Sequence, residues 1–209
     1  MDFIIQNILN ALQWGSFYAL IALGYTLVYG VLTLINFAHG DIFMVGAYIA
    51  FFVASWLLGP VFGLDPTITF VLAIPLTMIL TACVGVTLER IAYRPLRRKG
   101  AHRLYVVITA LMCGLILEYG NLAALGASRK KFPDLLDKVI WDIGGVSVTN
   151  LKVLVIFAAI AVFIFLNFIV TKTKIGMAMR GISYDKFAIP LMGIPLDTII
   201  VVTFILGSG

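Results

Sequence analysis

Long apolar stretches alternate with short polar ones along this chain. Residues 3–40 carry no formal charge if His39 is neutral, and residues 42–64 and 66–88 are equally uncharged. The run from Leu104 to Ala127 is interrupted only by Glu118, and 153–171 is again uncharged. A last run follows Lys186 and contains Asp197. A hydrocarbon core ~30 Å thick takes about 20 helical residues to cross. Backbone inside lipid must satisfy its own hydrogen bonds, so runs of this length are helices. The pattern predicts six elements, roughly 8–33, 41–58, 67–92, 104–126, 151–171 and 195–209. The expected fold class is all-α, a polytopic transmembrane helical bundle forming a single domain over 1–209.

Two runs have awkward lengths. As one straight helix, residues 3–40 would reach about 57 Å, nearly twice the bilayer core. This stretch therefore holds one span plus an interfacial or re-entrant piece, or a broken helix, with Gly30, Asn36 and Gly40 as the breaking points. The run from Ile199 to Gly209 is about half a span, so the chain reads as incomplete at its C-terminus.

Composition agrees with a lipid-solvated chain. Of 209 residues, 62% are hydrophobic and 12% charged, and the mean hydropathy is +1.08. That leaves too little polar material for the skin of a soluble domain. The net charge of +5 comes from 15 basic and 10 acidic residues. It does not point to nucleic acid, because no Lys or Arg precedes Arg90 and the rest cluster between apolar runs. One cluster is Arg90, Arg94, Arg97, Arg98, Lys99 and Arg103; the other is Lys172, Lys174, Arg180 and Lys186. Two spans separate them, so they share a side, and their excess over the intervening loop places that side in the cytoplasm. The N-terminus is then outside. Cys83 and Cys113 read as small buried hydrophobes. Two distant histidines exclude an ordinary zinc site, and no catalytic or phosphate-loop motif is present.

Polar residues inside apolar runs are the candidates for function. Asn36, His39 and Asp41 fall within six residues. They are either helix caps at a turn, with Asp41 as an N-cap, or part of a translocation pathway or buried polar network. Glu118 lies deep in its run. It either faces substrate or another chain, or reaches the headgroups. Glu89, beside Arg90, reads as solvated at an interface. Ala11, Gly15, Ala19 and Ala22 form a small-residue face suited to close helix packing. The segment 172–193 is amphipathic, with Ile182, Ala188, Ile189 and Met192 offering apolar contacts and Arg180, Asp185 and Lys186 offering charge. Such a segment suits docking to a soluble partner, and Pro190 should end or kink any helix near Ile189.

Three strings make the reading specific. GSFYALIALGYTLVYGVLTLINFAHGDIFMVGAY (15–48), LERIAYRPLR (88–97) and GMAMRGISYDKFAIPLMGI (176–194) resemble, in order and spacing, the LivH-type permease of branched-chain amino-acid ABC importers. The resemblance implies a permease subunit of the bacterial or archaeal inner membrane working by alternating access. Its implied partners are a second homologous permease, two ATP-binding subunits and an external substrate-binding protein. It implies no cofactor on this chain, since the partner subunits use the ATP. The match makes 172–194 a cytoplasmic coupling segment in which Arg180, Asp185, Ala188 and Gly193 carry the ATPase contact. Asn36, His39, Asp41 and Glu118 remain the pathway candidates. Three residues depart from the family pattern: Glu118 stands where Gln is usual, Gly181 where Ala is usual, and Pro190 where a small polar residue is usual. The alternatives are an ion-coupled secondary carrier using Glu118 and Asp41, an importer permease for urea or short amides, and a membrane scaffold that recruits a partner through 172–193.

Overall fold

The computed structural model describes residues 2–33, 35–59, 62–143, 146–186 and 188–209, without the side chains of Asp2, Ile143 and Ala188. Five helices are long and apolar enough to cross a membrane. They are α1 (Asp2–Leu32), α2 (His39–Leu58), α3 (Pro66–Leu88), which runs on through a π-helical turn (Glu89–Tyr93) into α4 (Arg94–Arg98), α5 (Arg103–Leu125) and α6 (Asn150–Lys172). A hairpin of β1 (Ile140–Ile143) and β2 (Val146–Thr149) precedes α6. After α6 come α7 (Lys174–Tyr184), the short α8 (Ala188–Leu191) and the apolar α9 (Leu196–Ser208). All six predicted elements are present, and the architecture is the expected helical bundle.

The first run resolves as a helix, a break and a second helix. α1 stops at Leu32, where Thr33 takes a positive φ of 54°. Its last carbonyl, that of Leu32, accepts a hydrogen bond from Lys186 Nζ, which also donates to Thr33 Oγ1 at 2.9 Å. A lysine there complements the negative end of the helix dipole. The chain then doubles back. His39, the first residue of α2, lies beside Ile21, with its Nε2 3.2 Å from the Ile21 carbonyl. From Ile21 to Leu32 is about 16 Å of helix, so α2 begins roughly halfway into a ~30 Å core. The linking residues, extended, can cover that climb. The described part of the break, Thr33 and 35–38, includes Asn36, one of the expected breaking points, but neither Gly30 nor Gly40.

Ends of the bundle are defined by polar contacts. At one end, Gln6 on α1 pairs with β2: its Oε1 accepts from Ser147 N at 2.8 Å and its Nε2 donates to Ser147 O at 3.2 Å. Lys152 Nζ donates to Asn10 Oδ1 at 2.7 Å beside it. At the other end, Arg97 and Arg98 pair with Asp197 of α9 at 2.6 and 2.8 Å. Burial, then the charges of Arg103 and Arg97, holds the Lys186 amine below its ordinary range. The two basic clusters therefore share one end, opposite the start of α1.

Several expectations are corrected here. Ala11, Gly15, Ala19 and Ala22 line an open groove with Ala159, Ile160 and Phe163 of α6, about 810 Å³ in volume. Nothing lies within 4 Å of a Cβ placed at Gly15. The close approach on α1 is made at Gly24, where a Cβ would collide with the Gly207 carbonyl of α9 and with the His39 ring. Cys83 is exposed on its helix and Cys113 is half-buried, so neither is a core residue. Glu89 is 0% exposed rather than solvated. Its carboxylate meets Arg97 at 2.9 Å and Arg94 at 3.5 Å. The π turn carries it inward at the point where α3 leaves the apolar layer.

Candidate functional site: a re-entrant polar segment and the elbow of α7 and α8

The segment around Asn36 and His39 is buried at membrane depth. Asn36 is 5% exposed and His39 6%. Asn36 Oδ1 accepts from the Tyr93 hydroxyl at 2.7 Å, and Tyr93 stacks on Phe204 of α9. His39 packs edge-on to Tyr25. Asn36 Nδ2 and His39 Nδ1 are buried without a hydrogen-bond partner among the described residues. Orphaned polar atoms in an apolar bundle are costly. Their presence fits a surface that water or a solute reaches.

Asp41 is not an N-cap. The N-cap of α2 is Ala38, which makes no side-chain capping bond. Asp41 sits in the first helical turn, where the dipole favours a carboxylate. It also fills the space above Gly114 of α5, where a Cβ would collide with its Oδ2. Glu118 lies one turn further along α5, about 6 Å up the axis. It is exposed and makes no hydrogen bond or ion pair with a described residue. The structure brings Asn36, His39 and Asp41 together and leaves Glu118 on an open helix face beyond them.

The segment holding α7 and α8 is a helical elbow. The sequence at Thr173–Gly176 turns sharply because the Thr173 hydroxyl caps α7, accepting from Gly176 N at 3.1 Å. A Cβ at Gly176 would strike the Ile169 and Val170 carbonyls. Arg180 donates to the Val170 carbonyl and so covers the C-terminal end of α6. The inner face of α7 packs Ala178, Met179 and Ile182 against Val31 of α1 and Ile199 of α9, joined by Ile189. Gly181 admits the Ile189 side chain against α7, so this departure from the family pattern has a packing role. Ile182 and Ile189 are therefore core residues and offer nothing to a partner. Pro190 lies inside α8 rather than ending it, in a first turn where its missing N–H costs nothing. The helix break falls instead after Tyr184, where Asp185 is extended. Gly193 has φ +78°, a conformation that favours glycine, and turns the chain into α9. The Ala188 side chain lies outside the described part.

Three residues at this elbow are strongly exposed; Met192 was read from the sequence as an apolar contact, whereas Tyr184 and Leu191 were not singled out. Tyr184 is 96% exposed, Leu191 89% and Met192 73%. Tyr184 ends α7, Leu191 ends α8 and Met192 follows it, all in the basic-end segment. Tyr184 had a signal in the pattern, as an apolar residue left over once the inward face of α7 is assigned at helical spacing; Leu191 and Met192 lie beyond that helix.

Comparison with known proteins agrees with this geometry. The profile of the family described as "Branched-chain amino acid transport system / permease component" matches residues 7–209. The high-affinity branched-chain amino acid transport system permease protein BraD of Pseudomonas aeruginosa is 35% identical over 98% of this chain and 67% of its own length. The corresponding LivH protein of Escherichia coli is 30% identical over 99% of this chain and 68% of its own. No solved structure matches. This chain, in which five of the described helices are long and apolar enough to cross a membrane, belongs to the branched-chain amino acid transport system permease component family.

Proposed function

We propose that this chain forms, together with a second permease of the same kind, the translocation pathway of an ATP-driven importer of branched-chain amino acids. The observation that carries the reading is the elbow of α7 and α8. It is rooted in the bundle by buried residues and presents Tyr184, Leu191 and Met192 to solvent. An apolar tip on a rigid root suits docking to a soluble ATPase subunit. The positive-inside rule puts the basic end in the cytoplasm and the hairpin end outside, where a binding protein would deliver substrate.

In this reading, ATPase closure displaces the elbow as a rigid body. Lys186 ties it to the end of α1, the point from which the re-entrant segment climbs to His39. Motion at the tip then reaches Asn36, His39 and Asp41 through a short, packed path. Apolar pathways separate branched side chains by only ~1–3 kcal/mol per methylene, so substrate choice falls mainly to the binding protein.

Co-purification tests the docking claim. Leu191→Asp with Met192→Asp should abolish recovery of ATPase subunits with the permease while leaving membrane insertion intact. Undiminished recovery would refute it.

A further inference from the structure

A cavity of about 130 Å³ lies at the basic end and shares Asn36 with the polar segment described above. Its apolar wall includes Leu32, Val106 and Phe204; its polar lining is Asn36, Arg97 and Arg103. The polar atoms left over are donors. Asn36 Oδ1 is taken by Tyr93, whereas Asn36 Nδ2 is buried and has no partner among the described residues. Arg97 is shared between Glu89 and Asp197. Arg103, exposed at the rim, makes no hydrogen bond or ion pair with a described residue. The lowered affinity of Lys186 for its proton, caused in part by Arg103 and Arg97, marks a local surplus of positive charge.

We propose that this cavity is a cytoplasmic-end site for a small carboxylate with a branched apolar body, and that its occupation slows import. Arg103 and Asn36 Nδ2 would both donate to the carboxylate, and the apolar wall would take the branched body. The volume is well below the ~300–1,000 Å³ of sites for larger ligands, which argues against a two-chain lipid. The chemistry has two sources, the imported amino acid or its deaminated 2-oxo acid. The proposal rests on the branched-chain substrate assigned above and adds a product-side control to it.

The test uses the complete importer in proteoliposomes, with ATP on the side of the basic end. Radiolabelled leucine and the binding protein are on the other side. Millimolar leucine, 4-methyl-2-oxopentanoate or acetate is then loaded beside the ATP. A branched carboxylate is expected to lower the initial rate about five-fold, the low end of coupling between sites, and acetate to leave it unchanged. Arg103→Ala should abolish the effect without changing the unloaded rate, and Arg103→Lys should retain part of it. Slowing by leucine alone or by the oxo acid alone identifies the source. No slowing, or equal slowing in Arg103→Ala, overturns the proposal. If unloaded vesicles show no ATP-driven branched-chain uptake, it is the assigned function that fails. Saturable binding of the two radiolabelled compounds to the solubilised complex without binding protein then tests the cavity alone. Binding lost in Arg103→Ala supports the site, and binding unaffected by that change, or absent, refutes it.

Discussion

Removing Arg97 should destabilise this protein more than removing the acid it pairs with. Glu89 is 0% exposed, Arg97 about one-fifth exposed and Asp197 about one-third. In Arg97→Met the Glu89 carboxylate stays buried with only Arg94, at 3.5 Å, to offset its lost hydration. Stripping one partner from a buried pair costs ~3–5 kcal/mol, a large share of a typical ~5–15 kcal/mol stability. Glu89→Gln keeps the shape and an acceptor. It leaves Arg94 and Arg97 with Asp197, at 3.8 and 2.6 Å, and with some water. That loss is about 1.5–3 kcal/mol, the range for one charged hydrogen bond. The double variant should cost less than the sum, with a coupling of ~2 kcal/mol. Arg98→Ala serves as the control, since Arg98 is 66% exposed and exposed pairs contribute ~0–1 kcal/mol. Unfolding in mixed micelles of increasing denaturing-detergent fraction, followed by circular dichroism, measures each value. Equal costs for Arg97→Met and Glu89→Gln, or an additive double variant, would refute the buried-pair reasoning.

Three further outcomes are expected. Gly24→Ala should lose ~1–3 kcal/mol to overpacking against Gly207 and His39, whereas Gly15→Ala, in open space, should be neutral or gain up to ~1 kcal/mol of helix propensity; the same micelle assay compares them. Gly193→Val forces a β-branched residue to φ +78° and should lower ATPase recovery and uptake together while the chain still inserts, measured by co-purification from membranes. Lys186 binds its proton less tightly folded than unfolded, so the unfolded state holds more protons between its lowered value and the ordinary 10.5, and stability should rise with pH through that window. Lys186→Met should remove this slope.

The sequence carried the bundle itself, because a span must be long and uncharged, and each uncharged run became a helix. The first run showed the kind of information that does not survive in one dimension. Its length demanded a break, but hydropathy carries no register for depth, so the climb from Leu32 to His39 was visible only once His39 met Ile21. The Asn36–Asp41 string was legible as polar and unusual. Whether it capped helices or lay buried depended on that same depth. Small residues at Ala11, Gly15 and Ala19 promised a packed face. Within this chain the close contact formed instead at Gly24, since spacing alone does not name a partner. At Glu89 the adjacent Arg90 suggested solvation, and the ion partners came from Arg94 and Arg97, brought round by the π turn. In the segment holding α7 and α8, Arg180 serves the end of α6, and the exposed apolar side chains are Tyr184, Leu191 and Met192.

Uptake of radiolabelled leucine into proteoliposomes tests the central claim most directly. This chain is reconstituted with a second permease, ATPase subunits and a branched-chain amino acid-binding protein, and again alone with an imposed proton or sodium gradient. Uptake is expected only in the full assembly, only with ATP at the basic end, and not in the chain alone. Gradient-driven uptake by the chain alone, abolished by Glu118→Gln or Asp41→Asn, would contradict the importer assignment in favour of an ion-coupled carrier.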